Sequence, residues 1–264
     1  MKRTVSAHIE LEILDRTNMV FSLSAGHGAD LATENLRFSL DGADQEYQEL
    51  LDIHGTRLHQ FESQAGHLEV DYDATVTGRA QPTPSTELDL VTYLRPSRYC
   101  QSDTLTPTAR GEFNGLYGHD LLEGVTNWVW ERLRYVSGSS LPTDGATRTL
   151  FSRRGVCRDF AHVTIALLRA MEVPTRMVSV FAPGISPMDF HAVAEAWVDG
   201  EWWVVDATRS APRQGMVRIA TGRDAADTAW LTSSWSDISV IGMSVTAGVD
   251  VLPFDDGFQL VQLG

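Results

Sequence analysis

A cysteine follows a glycine in the stretch RRGVCRDFAH (153–162), directly before an apolar pattern of helical spacing. The pattern continues to about Met171, and Pro174 stops it, so we predict a helix over residues 157–171. Cys157 then lies at the helix N-terminus, where the dipole and unpaired backbone N–H groups favour a thiolate and can hold a developing oxyanion. On this pattern alone a nucleophile, a metal ligand, a disulfide and simple packing stay open.

A second stretch, HAVAEAWVDGEWWVVDATR (191–209), predicts a hairpin that orients a histidine. Asp199-Gly200 between two β-rich runs is typical of a two-residue type I′ turn. The register is counted outward from this turn, and side chains alternate along each strand. His191 and Asp206 then lie on one face as diagonal neighbours, with their backbones about 7–8 Å apart. A histidine oriented by a carboxylate is the proton shuttle that thiol catalysis requires.

Other polar residues near these stretches have structural explanations. Glu195 shares the face of His191 and is either a buried carboxylate with a perturbed pKa or a solvated edge residue, and we expect the latter. His162 invites a metal site with Cys157 and His191, but no CxxC or HExxH spacing supports one, so we expect no metal. Cys100 is expected to be inert, because two cysteines fit a reducing compartment better than a disulfide scaffold.

The first 80 residues carry regularly spaced strand patterns, which predict an antiparallel β-sandwich. The clearest alternation is TVSAHIELEIL (4–14). Further strand patterns cover 19–25, 36–42, 47–53 and 67–76. The stretch TGRAQPTPST (77–86) has the composition of a linker. We therefore predict an N-terminal domain over 1–85 and a second domain over 86–264.

Beyond the linker-like stretch, helical patterns mix with short strands. We predict a helix over 119–136, a shorter helix with Asp144 as its N-cap, and strands near 216–220 and 239–246.

The charge and hydropathy of the 264-residue chain exclude several function classes. The net charge of −14 argues against nucleic acid and anionic membranes as partners. No apolar run approaches the roughly 18 residues of a transmembrane helix. Lys2 and Arg3 precede an alternating pattern instead of the apolar run of a signal peptide, so we expect a cytoplasmic protein.

Two motifs in this order resemble the catalytic core of the transglutaminase-like superfamily: GVCRDFAHV (155–163) and HAVAEAWVDGEWWVVDATR (191–209). The resemblance implies a papain-like α+β core, with a helix packed on an antiparallel sheet. It also implies Cys157 as nucleophile, His191 as general base and acid, and Asp206 as the orienting residue, with no cofactor. Similar to bacterial members of this group are YLRPSRYCQSD (93–103), GRDAAD (222–227) and the β-rich residues 1–80.

The resemblance implies a thiol-dependent acyl-transfer enzyme that acts on amide bonds of a peptide or protein. Because no calcium-binding loop is visible in the sequence, we favour a cysteine peptidase or amidase over a transglutaminase with an amine acceptor. A non-catalytic module that binds a peptide or protein, and a metal-dependent hydrolase, are the alternatives from other classes. For the N-terminal domain, substrate binding, restriction of the cleft and homo-oligomerisation all stay open.

Overall fold

The computed structural model describes residues 1–80 and 84–263 and contains mostly antiparallel sheets combined with helices, as the predicted α+β class requires. The strands in chain order are β1 (Lys2–Ile13), β2 (Thr17–Phe21), β3 (Asp30–Leu40), β4 (Ala43–Asp44), β5 (Gln48–Leu51), β6 (Arg57–Ser63), β7 (Gly66–Thr77), β8 (Arg134–Tyr135), β9 (Arg154–Gly155), β10 (Thr175–Phe181), β11 (Phe190–Val198), β12 (Glu201–Val205), β13 (Val217–Gly222), β14 (Leu231–Ser234) and β15 (Ile238–Val249). The helices are α1 (Glu87–Thr92), α2 (Ser102–Phe113), α3 (Gly118–Arg132), α4 (Ala146–Ser152) and α5 (Cys157–Ala170).

Two antiparallel sheets, in the orders β15-β1-β7-β3-β4 and β14-β2-β6-β5, share one hydrophobic core. Along β1 every second residue from Val5 to Ile13 is buried, and this apolar face meets Phe21 and Phe61 of the second sheet. The alternation arises because successive side chains of a strand point to opposite sides of the sheet. The predicted sandwich is therefore confirmed.

The strand pattern missed β6 entirely. Its buried positions include His59 and Ser63 beside Phe61, so the inward face does not read as apolar in the sequence. The five strands that were predicted in this region are present as β1, β2, β3, β5 and β7, with ends that differ by several residues from the prediction. Burial of polar side chains that find partners inside a protein is what hides such a strand from a hydropathy pattern.

The sandwich is completed by strands from the C-terminal part of the chain. β15 pairs with β1 along its length, and β14 pairs with β2. The predicted strands near 216–220 and 239–246 are thus real, as β13 and β15, but the second of them lies in an N-terminal sheet. The division into domains over 1–85 and 86–264 stays a prediction. Strands from both sides of this boundary belong to the same two sheets. Of the linker-like stretch, residues 81–83 lie outside the described residues.

A second hydrophobic core is built on α5 and a four-stranded sheet of order β12-β11-β10-β13. Residues 159–170 of α5 are buried. One side of the helix packs on β11 through Ala192, Ala194 and Ala196, whose small side chains let the helix approach the sheet closely. Helices α2, α3 and α4 also pack against α5. The predicted helix over 157–171 and its packing on an antiparallel sheet are confirmed.

The neighbouring helices differ from prediction at their ends. The helix predicted over 119–136 ends at Arg132, and Tyr135 instead forms the short parallel pair of β8 with β9. The N-cap of α4 is Gly145, whereas Asp144 accepts a hydrogen bond from the Leu141 backbone N–H at 3.0 Å. Within residues 1–80 and 84–263, no helix is both long and apolar enough to span a membrane.

Candidate active site

The N-terminus of α5 is held in place by a buried carboxylate. The Asp159 side chain accepts a hydrogen bond from the Val156 backbone N–H at 2.8 Å, which satisfies a donor just before the first helical turn. Asp159 is fully buried, and its Oδ1 lies 3.9 Å from Nη2 of Arg158. A Cβ on Gly155 would lie 2.5 Å from the Asp159 Cβ. Glycine at this position therefore makes room for the residue that anchors the helix start.

Cys157 is the first residue of α5, as predicted, and is partly exposed. Its Sγ lies 3.9 Å from the carbonyl oxygen of Phe190, the residue directly before His191. The first turn of α5 therefore meets the beginning of β11. Cys100, in contrast, is fully buried, and burial raises the pKa of its thiol to about 12. Both cysteines are free thiols.

The hairpin that carries the histidine has the predicted register. Asp199 and Gly200 both adopt positive φ, of 53° and 83°, as a type I′ turn requires. Trp197 pairs with Trp202, and the ladder runs outward to Ala194 and Val205. From this register His191 Nε2 reaches Asp206 Oδ2 at 2.9 Å.

Asp206 accepts hydrogen bonds on both of its oxygens. Oδ1 accepts from the Thr208 backbone N–H at 2.9 Å and from the Thr208 hydroxyl at 2.7 Å, while Oδ2 faces His191. The carboxylate is buried, which alone would raise its pKa, but the charge of His191 and these hydrogen bonds lower the pKa of Asp206 below its usual value. An ionised Asp206 accepts from an N–H, so the proton of the His191 ring sits on Nε2.

The second ring nitrogen of His191 is the one available for chemistry. Nδ1 is buried and has no hydrogen-bond partner among the described residues. Burial alone would lower the pKa of His191. The charge and hydrogen bond of Asp206, aided by the neighbouring Cys157 thiol, instead raise it to about 10. A thiol, an imidazole and an oriented carboxylate are thus adjacent in a mostly buried setting, which suits nucleophilic attack on a carbonyl.

The structure also places a residue at this site that the sequence did not indicate. The Tyr135 hydroxyl interacts with both the backbone N–H and the thiol of Cys157. Tyr135 was part of the helix predicted over 119–136, and no local pattern connects it with Cys157. The contact arises because β8 pairs with β9, which ends two residues before the cysteine.

Glu195 was predicted to be solvated, and this prediction is wrong. Its side chain is 1% exposed and forms ion pairs with Arg176 at 2.8 Å and with Arg218 at 2.6 Å. Burial would raise the pKa of Glu195, but the two arginines lower it to about 2. The alternation placed Glu195 on the correct face of β11. It could not show that β10 and β13 bring two guanidinium groups to that face.

His162 has structural partners away from Cys157. The ring is buried, stacks on Tyr99 at 5.3 Å between centroids, and accepts a hydrogen bond from the Ala225 backbone N–H at 3.1 Å. Burial lowers the pKa of His162 to about 3, so the ring is neutral. Asp224 accepts from the Tyr99 backbone N–H, which joins the stretches 93–103 and 222–227 around α5. Among the residues that the structure describes, no group of three or more His, Cys, Asp and Glu side chains is arranged to hold a metal.

Comparison with known proteins assigns the chain to a family. The model of the transglutaminase-like superfamily matches residues 114–207, a range that includes Cys157, His191 and Asp206. A crystal structure from Cytophaga hutchinsonii, described as a "Putative Cysteine Protease", is 32% identical with a TM-score of 0.87. The match covers 97% of this chain and 92% of that chain. The protein belongs to the transglutaminase-like superfamily.

Relatives among curated proteins are mycobacterial. An uncharacterized protein of Mycobacterium leprae is 29% identical over 135 residues, which cover 47% of this chain and 48% of the relative. An uncharacterized protein of Mycobacterium tuberculosis is 32% identical over 154 residues, which cover 52% of this chain and 48% of the relative. The matched region spans about half the length of these curated relatives.

Proposed function

We propose that this protein is a thiol-dependent acyl-transfer enzyme that acts on amide bonds of a peptide or protein, with water as acceptor. It would then be a cysteine peptidase or amidase. One observation carries the proposal: Asp206 holds His191 through Nε2, and the remaining ring nitrogen, which has no hydrogen-bond partner within residues 1–80 and 84–263, belongs to a ring that lies beside the Cys157 thiol. In this role Cys157 is the nucleophile, His191 the general base and acid, and Asp206 the orienting group.

Before substrate binds, the proton of the Cys157 thiol has passed to Nδ1 of His191, which leaves a thiolate beside an imidazolium. The resulting thiolate attacks the amide carbonyl carbon, and the new S–C bond produces a tetrahedral intermediate. When the C–N bond breaks, the imidazolium donates its proton to the leaving amine, which leaves a thioester. His191 then takes a proton from water as the water oxygen bonds to the thioester carbon; the S–C bond breaks, which releases the carboxylic acid and returns Cys157.

The charge arrangement supports the first step. Because the pKa of His191 is raised to about 10, the ring retains a proton received from the thiol at neutral pH. The helix N-terminus stabilises the negative thiolate through its unpaired N–H groups. Asp206 keeps the ring in one orientation throughout, since its two oxygens are fixed by Thr208 and His191.

The choice of water as acceptor is supported by likeness to the Cytophaga hutchinsonii protein, whose description as a "Putative Cysteine Protease" accompanies a match over almost the whole chain. Transfer to an amine uses the same three residues, and a transglutaminase is therefore the second candidate. The two reactions separate at the thioester, where either water or a primary amine attacks.

The decisive experiment offers a mixture of short peptides, including glutamine-containing ones, with and without an added primary amine. Mass spectrometry distinguishes cleavage or deamidation from an amine adduct. Cys157→Ala is expected to abolish every product while the protein stays folded, because the nucleophile is lost. Cys100→Ala is the matched control and is expected to retain activity, since Cys100 is fully buried.

Turnover by the Cys157→Ala variant would contradict the proposed mechanism. Peptide binding without turnover in both the wild type and this variant would instead indicate a binding module. Loss of activity with a chelator, restored by zinc, would favour a metal-dependent hydrolase.

A further inference from the structure

Tyr135 is held beside the nucleophile by a short strand pair. Tyr135 pairs with Gly155 in the parallel β8–β9 ladder, and the Val136 backbone N–H donates to the Gly155 carbonyl at 2.9 Å. Cys157 follows two residues later. Because both flanking residues of Tyr135 are tied to the segment that leads into α5, the position of the tyrosine backbone relative to Cys157 is fixed by main-chain hydrogen bonds.

The ring of Tyr135 is directed over the first turn of α5. Its centroid lies 6.1 Å from that of Phe160, one turn after Cys157. The phenol oxygen accepts from the Cys157 backbone N–H and also interacts with the thiol. About half of the tyrosine is exposed, at 47%, and Cys157 is itself partly exposed, so the side chain lies at the surface beside the sulfur.

This phenol oxygen occupies the place that a substrate carbonyl oxygen needs. When a carbonyl carbon bonds to Sγ, its oxygen must lie close to the same sulfur. The Cys157 N–H at the helix start is a main-chain donor next to this sulfur, and it has no partner within the helix. In the free protein the phenol oxygen accepts from that N–H, and a hydroxyl is both donor and acceptor. A small shift of the ring lets an oxyanion accept from the N–H and from the phenol O–H together.

We infer that the Tyr135 hydroxyl and the Cys157 backbone N–H form the oxyanion hole of the thiol reaction. This inference rests on the proposed function. When the thiolate forms the S–C bond, the π electrons of the carbonyl move to its oxygen, and the two donors stabilise that negative charge. The tyrosine transfers no proton. When the C–N bond breaks, the electron pair on the oxygen restores the carbonyl, and the leaving amine takes its proton from His191.

The acidity of the phenol is compatible with this role. Burial, followed by the charge of the Cys157 thiol, raises the pKa of Tyr135 to about 12. The hydroxyl therefore keeps its proton and remains a donor at the pH values at which the thiolate reacts. A deprotonated phenol would repel the oxyanion, and the neighbouring negative charge prevents that state.

Two small reagents test the assignment without knowledge of the natural substrate. Acetylation of Cys157 by p-nitrophenyl acetate passes through a tetrahedral oxyanion, whereas alkylation by iodoacetamide is a displacement at carbon with no oxyanion. Tyr135→Phe is expected to slow acetylation about 100-fold, the loss typical of one oxyanion-hole donor, and to leave alkylation within about twofold. Mass spectrometry locates both modifications on Cys157, and p-nitrophenolate release gives the acetylation rate.

The control is Tyr117→Phe, which removes a hydroxyl from a tyrosine that is 77% exposed and should change neither rate. Equal slowing of both reactions by Tyr135→Phe would overturn the inference, because it would show an effect on the thiol itself. Unchanged or faster acetylation would also overturn it and would show a ring that only covers the sulfur. If wild-type Cys157 reacts with neither reagent, the proposed function fails before the role of Tyr135 is reached.

Discussion

At the scale of single residues, one carboxylate determines the state of the histidine. Asp206 is bound by Thr208 through one oxygen and by His191 through the other. Neither group is exposed, so the attraction between their charges is not screened by water as a surface pair would be. The raised pKa of His191 is therefore a property of the pair and depends on the charge of its partner.

Asp206→Asn tests this dependence. The substitution keeps the shape of the side chain and removes its charge, so burial dominates and the pKa of His191 falls. We expect NMR of the imidazole to show a protonated His191 ring at neutral pH in the wild type and a neutral ring in the variant. Turnover should decrease at least about 100-fold, because the ring loses its fixed orientation and its ability to hold the proton.

The control for this variant is Asp199→Asn in the turn of the same hairpin, where the side chain is exposed. It should leave the ring titration unchanged. The raised pKa of His191 also makes the stability of the folded state depend on pH. A pKa raised from 6.5 to about 10 stabilises the folded state fully below pH 6.5, and this stabilisation is lost as the pH rises through about 10. An unchanged His191 titration in Asp206→Asn would refute the explanation.

At the scale of the elements, the site depends on where α5 begins. The Val156–Asp159 hydrogen bond and the space left by Gly155 define that start. The hairpin contributes the other half, and its register follows from a two-residue turn. Because these are local determinants, the sequence predicted the helix start and the placement of His191 and Asp206 on one face.

Gly155→Ala is expected to displace the helix start. The added Cβ would lie 2.5 Å from the Cβ of Asp159, a distance that forces the backbone to move. Overpacking of this kind costs about 1–3 kcal/mol of unfolding free energy. We also expect slower alkylation of Cys157 by iodoacetamide, since the thiol moves relative to His191. Urea unfolding and alkylation kinetics measure the two effects.

Gly111→Ala is the matched control, because within the described part of the chain no atom outside its own turn of α2 lies within 4 Å of a Cβ added here. Alanine favours a helix over glycine, so this variant should be equally stable or more stable by up to about 1 kcal/mol. If Gly155→Ala behaves in the same way, the steric account of the helix start is wrong.

The contacts between elements were beyond the reach of sequence patterns. Nothing in the spacing of residues indicated that α5 meets β11 at Phe190, or that Tyr135 approaches Cys157 through the β8–β9 pair. Such contacts depend on packing between segments that are distant in sequence. Hydropathy patterns report which face is buried but not which element covers it. The family resemblance predicted that α5 packs on the sheet that carries His191. It did not predict that Tyr135 approaches Cys157.

At the scale of the whole molecule, a buried ion cluster links the core sheet to the sandwich. Glu195 on β11 binds Arg176 on β10 and Arg218 on β13. The backbone carbonyl of Arg218 accepts from the Gly26 N–H of the N-terminal part at 2.8 Å, and the Thr221 N–H donates to Thr56 at 3.2 Å. The cluster therefore stabilises the strands on which the two parts of the chain meet.

Glu195→Gln should destabilise the protein by about 3–5 kcal/mol at neutral pH, because the buried Arg176 and the partly buried Arg218 lose their counter-charge. The folded pKa of Glu195 is lowered from 4.5 to about 2, so its stabilisation is present above pH 4.5 and is lost as the pH falls through about 2. The difference in melting temperature between variant and wild type should therefore shrink over this range. Thermal unfolding at several pH values measures it.

Glu46→Gln, at an exposed position, is the control and should follow the wild type at every pH. A Glu195→Gln variant that matches the wild type at neutral pH would show that the buried charges contribute no net stability.

Pairing of β15 with β1 also affects how the protein is made. Ser6 and Thr246, which face each other across this pair at 2.7 Å, are 240 residues apart. At about 5–20 residues per second, a ribosome needs roughly 10–50 s between the two. During that interval β1 has an open edge that can pair with another nascent chain. Completion of the sandwich therefore follows synthesis of the entire thiol-bearing core.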